Sequence, residues 1–70
     1  MTITYFKETD SLLITFNNNK IEETKDISEN ILLDIDSNRN IVSMTIEHAT
    51  KTATISNFSY NQIESKSAKC

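Results

Sequence analysis

The chain has 70 residues, 7 basic and 10 acidic, for a formal net charge of −3, and it carries one cysteine and one histidine. A chain this short hides only about 60% of the surface its unfolded form exposes, so its margin of stability is thin and some staple is expected. The single cysteine, Cys70, excludes an internal disulfide. No apolar run approaches the ~20 residues that span a bilayer. Lys7, Lys20, Lys25, Arg39, Lys51, Lys66 and Lys69 are scattered along the chain, whereas nucleic-acid binders cluster their cations against phosphates. Neither nucleic acid nor membrane is therefore expected as a partner. The start, Met1-Thr2-Ile3-Thr4-Tyr5, lacks the basic and apolar stretches of a secretory signal, and a cytoplasmic location is expected.

With no glycine and no proline in the sequence, turns must come from Asn, Asp and Ser, which tolerate the left-handed region better than most residues. Ile3 and Tyr5 alternate with Thr2 and Thr4, a period-two strand pattern. After the polar turn 7–10, Leu12, Ile14 and Phe16 line one face of a second strand, 11–16. Asn17-Asn18-Asn19 suits a tight hairpin, leading into a polar strand over 20–24 with Ile21 its one apolar residue. Glu22 and Glu23 mark that strand as a charged edge and are the candidate interaction residues. A polar connection over 25–30 follows.

Ile31, Leu33 and Ile35 share a face of the next strand, 31–36. After the turn 37–40, the strand 41–48 places Val42, Met44 and Ile46 inward and Ser43, Thr45 and Glu47 outward. The segment 50–63 fits either a short helix or an extra strand, and a helix or turn over the sheet is the favoured reading. Residues 64–70 are expected to fray, leaving 1–63 as a single β-rich domain. The expected architecture is mainly β: a small antiparallel meander of about five strands, with a short C-terminal helix or extra strand covering one face. The buried face is expected to hold Leu12, Ile14, Phe16, Leu33, Ile35, Val42, Met44 and Ile46. The C-terminal segment offers too few apolar side chains to cover that face, so a second copy of the sheet is the expected cover.

The spacing of Tyr5, Asp10-x-Leu12-x-Ile14, Ile31-Leu32-Leu33-Asp34-Ile35-Asp36 and Ile41-Val42-Ser43-Met44-Thr45-Ile46, ending in Ala49-Thr50, resembles the prokaryotic domain-of-unknown-function family 2283 (DUF2283). The likeness runs from Ile3 to Lys51. It implies a compact β-rich domain and supplies no settled activity. Genes of some members beside small toxin-like genes imply an antitoxin or partner-binding role. The family pattern has Gly where this chain has Arg39, and Gly and Glu where it has Ser43 and Thr45.

Asp34-x-Asp36-x-Asn38-x-Asn40 resembles the opening of a calcium loop, where oxygen ligands recur at alternate positions. Arg39 stands in place of the sharp-turn glycine, Thr45 in place of the closing glutamate, and the flanks read as strands. Asp34, Asp36 and Asn38 are thus weak metal candidates, and the stronger reading is a strand running into a polar turn. His48 lacks the partners that a triad or zinc site requires. Cys70 has only Lys69 beside it to depress its pKa and is expected to be inert. Without glycine there is no phosphate-cradling loop. No catalytic residue and no cofactor are assigned. The expected function is a non-enzymatic protein-interaction module that self-associates, with a dimer favoured, and binds another protein. An antitoxin engaging a basic partner through Glu22 and Glu23 is one form of this. The alternative is a small metal-binding or enzymatic domain centred on Asp34, Asp36 and Asn38.

Overall fold

The computed structural model describes residues 1–64; the expected tail 65–70, with Cys70, lies outside the described residues. Five strands, β1 (Thr2–Phe6), β2 (Ser11–Thr15), β3 (Glu23–Ser28), β4 (Ile31–Ile35) and β5 (Ile41–Glu47), are followed by one helical turn, α1 (Ala49–Thr52). They form one open antiparallel sheet in the order β1-β2-β5-β4-β3. The mainly β, antiparallel, five-stranded reading with a short helix is what the structure shows.

The order differs from a simple up-and-down meander at one place. β5 lies between β2 and β4, so residues 16–22 are a crossover and not a hairpin. Two of the three asparagines pin this strap. Asn17 donates through Nδ2 to the Ile41 carbonyl at 3.1 Å, its Oδ1 accepts the Asn19 N–H at 3.0 Å, and Asn19 Nδ2 reaches Asp36 Oδ2 at 2.9 Å. An amide side chain that can bond local backbone competes with ladder formation, which is why this run spans the ends of two strands. β3 begins at Glu23 and runs to Ser28, with a register shift between Asp26 and Ser28, so residues 25–28 of the stretch 25–30 read as a connection are strand and 29–30 are the turn.

Residues opposed across neighbouring strands project to the same face. Tyr5, Leu12, Ile46 and Ile31 form one such row, and Ile3, Ile14, Met44 and Leu33 form the next. The other face carries a polar row across all five strands: Thr2, Thr15, Ser43, Asp34 and Thr24. Insertion of β5 at the centre gives it partners on both sides, and the residues just inside its start are the driest part of the sheet. Val42 is 3% exposed, Ser43 4%, and Ile35 on the adjoining strand 7%.

Elsewhere the apolar face is incompletely covered. Leu12, Ile14, Leu33, Met44 and Ile46 are half-buried, and among the described residues no large side chain is fully buried. Phe16, just past β2, continues the ladder, its N–H donating to the Val42 carbonyl at 2.8 Å, yet it stays 39% exposed. Beyond α1, residues 53–64 are neither helix nor strand. Ala53, Ile55 and Phe58 line a cleft together with Ile3 and Leu12, and of this segment only Ile55 is half-buried.

Among the described residues, three non-glycine residues have positive φ: Asp10 at 54°, Arg39 at 68° and His48 at 55°. A left-handed residue with a Cβ costs roughly 1–2 kcal/mol. Arg39 is exposed and occupies the turn position where the family pattern has glycine. Arg39→Gly is therefore expected to stabilise the fold by about 1 kcal/mol, read as a higher urea midpoint at unchanged slope.

Candidate functional site

The polar residues that stand out in the sequence gather into three clusters, each built by a turn or a strand crossing. The first joins β1, β2 and α1. Asp10 closes the β1–β2 hairpin with positive φ, and its carboxylate accepts the Tyr5 hydroxyl at 2.7 Å, the Thr50 hydroxyl at 2.8 Å and the Thr50 N–H at 3.2 Å. Its carbonyl accepts the Ala49 N–H at 2.9 Å. The residue before α1, His48, makes no side-chain cap. Asp10, 40 residues upstream of Thr50, supplies the missing acceptors at the helix start. Ala49 between them is fully buried.

The second cluster is the β4–β5 turn. Asp36, 8% exposed, lies just past the end of β4. Its Oδ1 accepts the N–H groups of Asn38 and Asn40, each at 2.9 Å, and its Oδ2 accepts the Asn19 side-chain amide at 2.9 Å. The Asp36 N–H donates to the Asn40 carbonyl at 2.9 Å, and the Arg39 N–H to the Asp36 carbonyl at 3.0 Å. The third cluster is on the polar face, where Asp34 is gripped from both sides. Thr24 Oγ1 donates to Oδ1 at 2.6 Å and Ser43 Oγ to Oδ2 at 2.5 Å.

The two aspartates named as metal candidates thus have separate jobs. Asp34 cross-links three strands and Asp36 builds a turn, with Asn38 tied to it as a backbone donor. Among the described residues, no three or more His, Cys, Asp or Glu side chains converge where a metal ion could be held. His48 places Nδ1 3.1 Å from Asn30 Oδ1, and the Glu47 N–H donates to the Asn30 carbonyl at 2.7 Å; this pairs the end of β5 with the β3–β4 turn. Glu22 and Glu23 are both exposed, and Glu23 opens β3, a free edge of the sheet.

The hydrogen bonds fix the protonation behaviour. The Tyr5 hydroxyl, followed by Thr50, holds the Asp10 carboxyl below the usual carboxylate range, and Asp10 in turn raises the Tyr5 phenol. The Asn40 N–H leads the groups that hold Asp36 below its ordinary value. A general acid at neutral pH needs its carboxyl raised, and these two are shifted the other way.

This shift has a consequence for stability. A carboxyl depressed on folding binds protons more readily in the unfolded chain, so stability rises with pH across its titration. The contribution of Asp10 and Asp36 is present above the ordinary aspartate value near 4 and is lost as pH falls through their lower folded values. Thermal melts are expected to be level between about pH 5 and 7 and to fall steadily below about pH 4. Asp10→Asn combined with Asp36→Asn should flatten that acid arm. Tyr5 works in the opposite sense: its raised phenol contributes below about pH 10 and the contribution is lost as pH rises through the folded value.

Local sequence pattern does not reveal the Tyr5–Asp10–Thr50 cluster, although Tyr5, Asp10 and Ala49-Thr50 are among the positions that carry the family resemblance. In the structure these positions join the first hairpin to the turn after the last strand. The chain matches no curated protein and no solved structure. Residues 2–49, from the first residue of β1 to the buried Ala49, match the family described as protein of unknown function (DUF2283). The chain belongs to the DUF2283 family.

Proposed function

We propose that this protein is a non-enzymatic interaction module whose apolar sheet face is covered by a second copy of the chain. The observation that carries this reading is the state of that face. Two apolar rows drawn from β1, β2, β5 and β4 share it, yet Leu12, Ile14, Leu33, Met44 and Ile46 are only half-buried. Sheets bury such a face against another layer, and Ala53, Ile55 and Phe58 share a cleft with Ile3 and Leu12 on its β1–β2 side. Stacked sheets about 10 Å apart interdigitate their inner side chains, which a second copy provides with matching shape. The polar clusters support the non-enzymatic part, since Asp10, Asp34 and Asp36 are each occupied by two or more donors that hold the fold together.

Sedimentation equilibrium on the full chain tests the reading. Association that weakens reversibly on dilution is the expected result, and a monomer at every concentration with a normal melt would overturn it.

Binding of a second, basic protein belongs to the same reading. Glu22, Glu23 and Asp26 lie exposed along the β3 edge and its approach, with Lys25 between Glu23 and Asp26, an acidic-leaning edge suited to steering a cationic partner. An antitoxin role is the form of this reading that co-expression with the genomic neighbour examines. A toxic neighbour neutralised by this chain, but not by Glu22→Lys with Glu23→Lys, supports it. Absence of both toxicity and complex removes it.

A further inference from the structure

The two edges of the sheet are built differently. β3 carries Glu23, Lys25 and Asp26 and a register irregularity before Ser28, features that keep an edge from pairing with another chain. β1 reads Thr2-Ile3-Thr4-Tyr5-Phe6, with no charge, no proline and an unbroken register against β2. An edge of this composition is a ready template for a further strand. Exposed apolar side chains also concentrate beside it: Met1 77%, Ile3 38%, Tyr5 36%, Phe6 48%, Phe58 68% and Tyr60 71% exposed. Met1, Ile3, Phe58 and Tyr60 line an open groove of about 500 Å³ along this side.

We infer that β1 pairs antiparallel with β1 of a second copy, about a two-fold axis at Thr4, joining two sheets edge to edge. The strand is self-complementary in this register. Ile3 faces the partner's Tyr5 on the apolar side, Thr2 faces the partner's Phe6 on the other, and each pair occurs twice. Aromatic with β-branched, and Thr with Thr at the axis, are favoured cross-strand pairs. Moving the axis to Ile3 leaves Phe6 beyond the pairing, and moving it to Tyr5 sets Lys7 against the partner's Ile3. Five paired residues alone make a small contact beside the ~1,600 Å² of a standard interface; Phe58 and Tyr60, exposed at the seam, enlarge it. Thr4, opposed by Leu13, lies on the other side of the strand from Ile3 and Tyr5, so a substitution there tests the edge contact without altering the apolar face.

The test is a charge swap on the axis. Thr4→Lys and Thr4→Glu each place like charges opposite one another and are expected to halve the mass of the assembly, with far-UV circular dichroism unchanged. Mixing the two variants should restore the full mass as a mixed assembly. A second readout is Thr4→Cys in a Cys70→Ser background, which removes the only native cysteine; mild oxidation is expected to give a covalent dimer. Retention of the parental mass by either charged variant, failure of the mixture to reassociate, or failure of the cysteine variant to cross-link would overturn the edge contact. Capture of a different protein's strand by β1, with no self-pairing, would overturn it as well. Loss of the face contact alone leaves all three edge results intact.

Discussion

Asp36→Ala is expected to lower the midpoint of thermal unfolding by on the order of 10 °C or more, the largest effect of any single polar substitution here. The reason is what its carboxylate organises. It takes the N–H groups of Asn38 and Asn40 inside the turn and the side chain of Asn19 from the crossover, so one residue fixes the end of β4, the start of β5 and the strap from β2. Alanine leaves those donors without their acceptor, and an unmade bond costs more than a made one contributes. The same turn holds Arg39 at φ 68°, a conformation that persists only where its surroundings impose it. Asp36→Asn keeps Oδ1 as an acceptor and should lose less. Differential scanning calorimetry on the three proteins decides the point; equal midpoints would mean that the turn is held by its backbone bonds alone.

Leu33→Asp is expected to weaken self-association by at least roughly a hundredfold and to lower the melting midpoint at the same time. Leu33 is opposed by Met44 on the apolar face, and removing a leucine from a packed contact costs about 2–5 kcal/mol even before a carboxylate is introduced. In a two-fold contact the change enters from both copies. Thr45→Glu is the matched control. Thr45 is opposed by Leu13 and Leu32 on the other face, and the family pattern carries glutamate there, so association should be unchanged. Equal loss in both variants would mean that the contact is not made through the apolar face.

The sheet is readable wherever period-two alternation is strong. β1, β2, β4 and β5 emerge from their apolar residues, and β5, with the cleanest pattern, proves to be the central strand. Sequence pattern places β3 too early because the strand offers only Ile27, unpaired at the register shift and 54% exposed, while Ile21 suggests a strand where the strap runs. The asparagine run misleads for a physical reason. Its composition matches a hairpin, but its side chains bond Ile41 and Asp36, contacts spanning 24 and 17 residues that no local pattern contains. The four-residue α1 is too short for helical periodicity to register, and its start is capped from Asp10 across the molecule. The aspartates illustrate the same limit in the site. Spacing alone groups Asp34 and Asp36 as candidate ligands, and the strand end between them sends one into a hydroxyl row and the other into a turn.

The chain has two methionines, and Met44, half-buried in the middle of the apolar face, reports directly on what covers it. Mild peroxide oxidation read residue by residue by mass spectrometry, at high and low protein concentration, is therefore the measurement to make. Met44 is expected to be protected in the concentrated protein and to become reactive on dilution and in Leu33→Asp. A Met44 that oxidises at the same rate at every concentration would contradict face-to-face association.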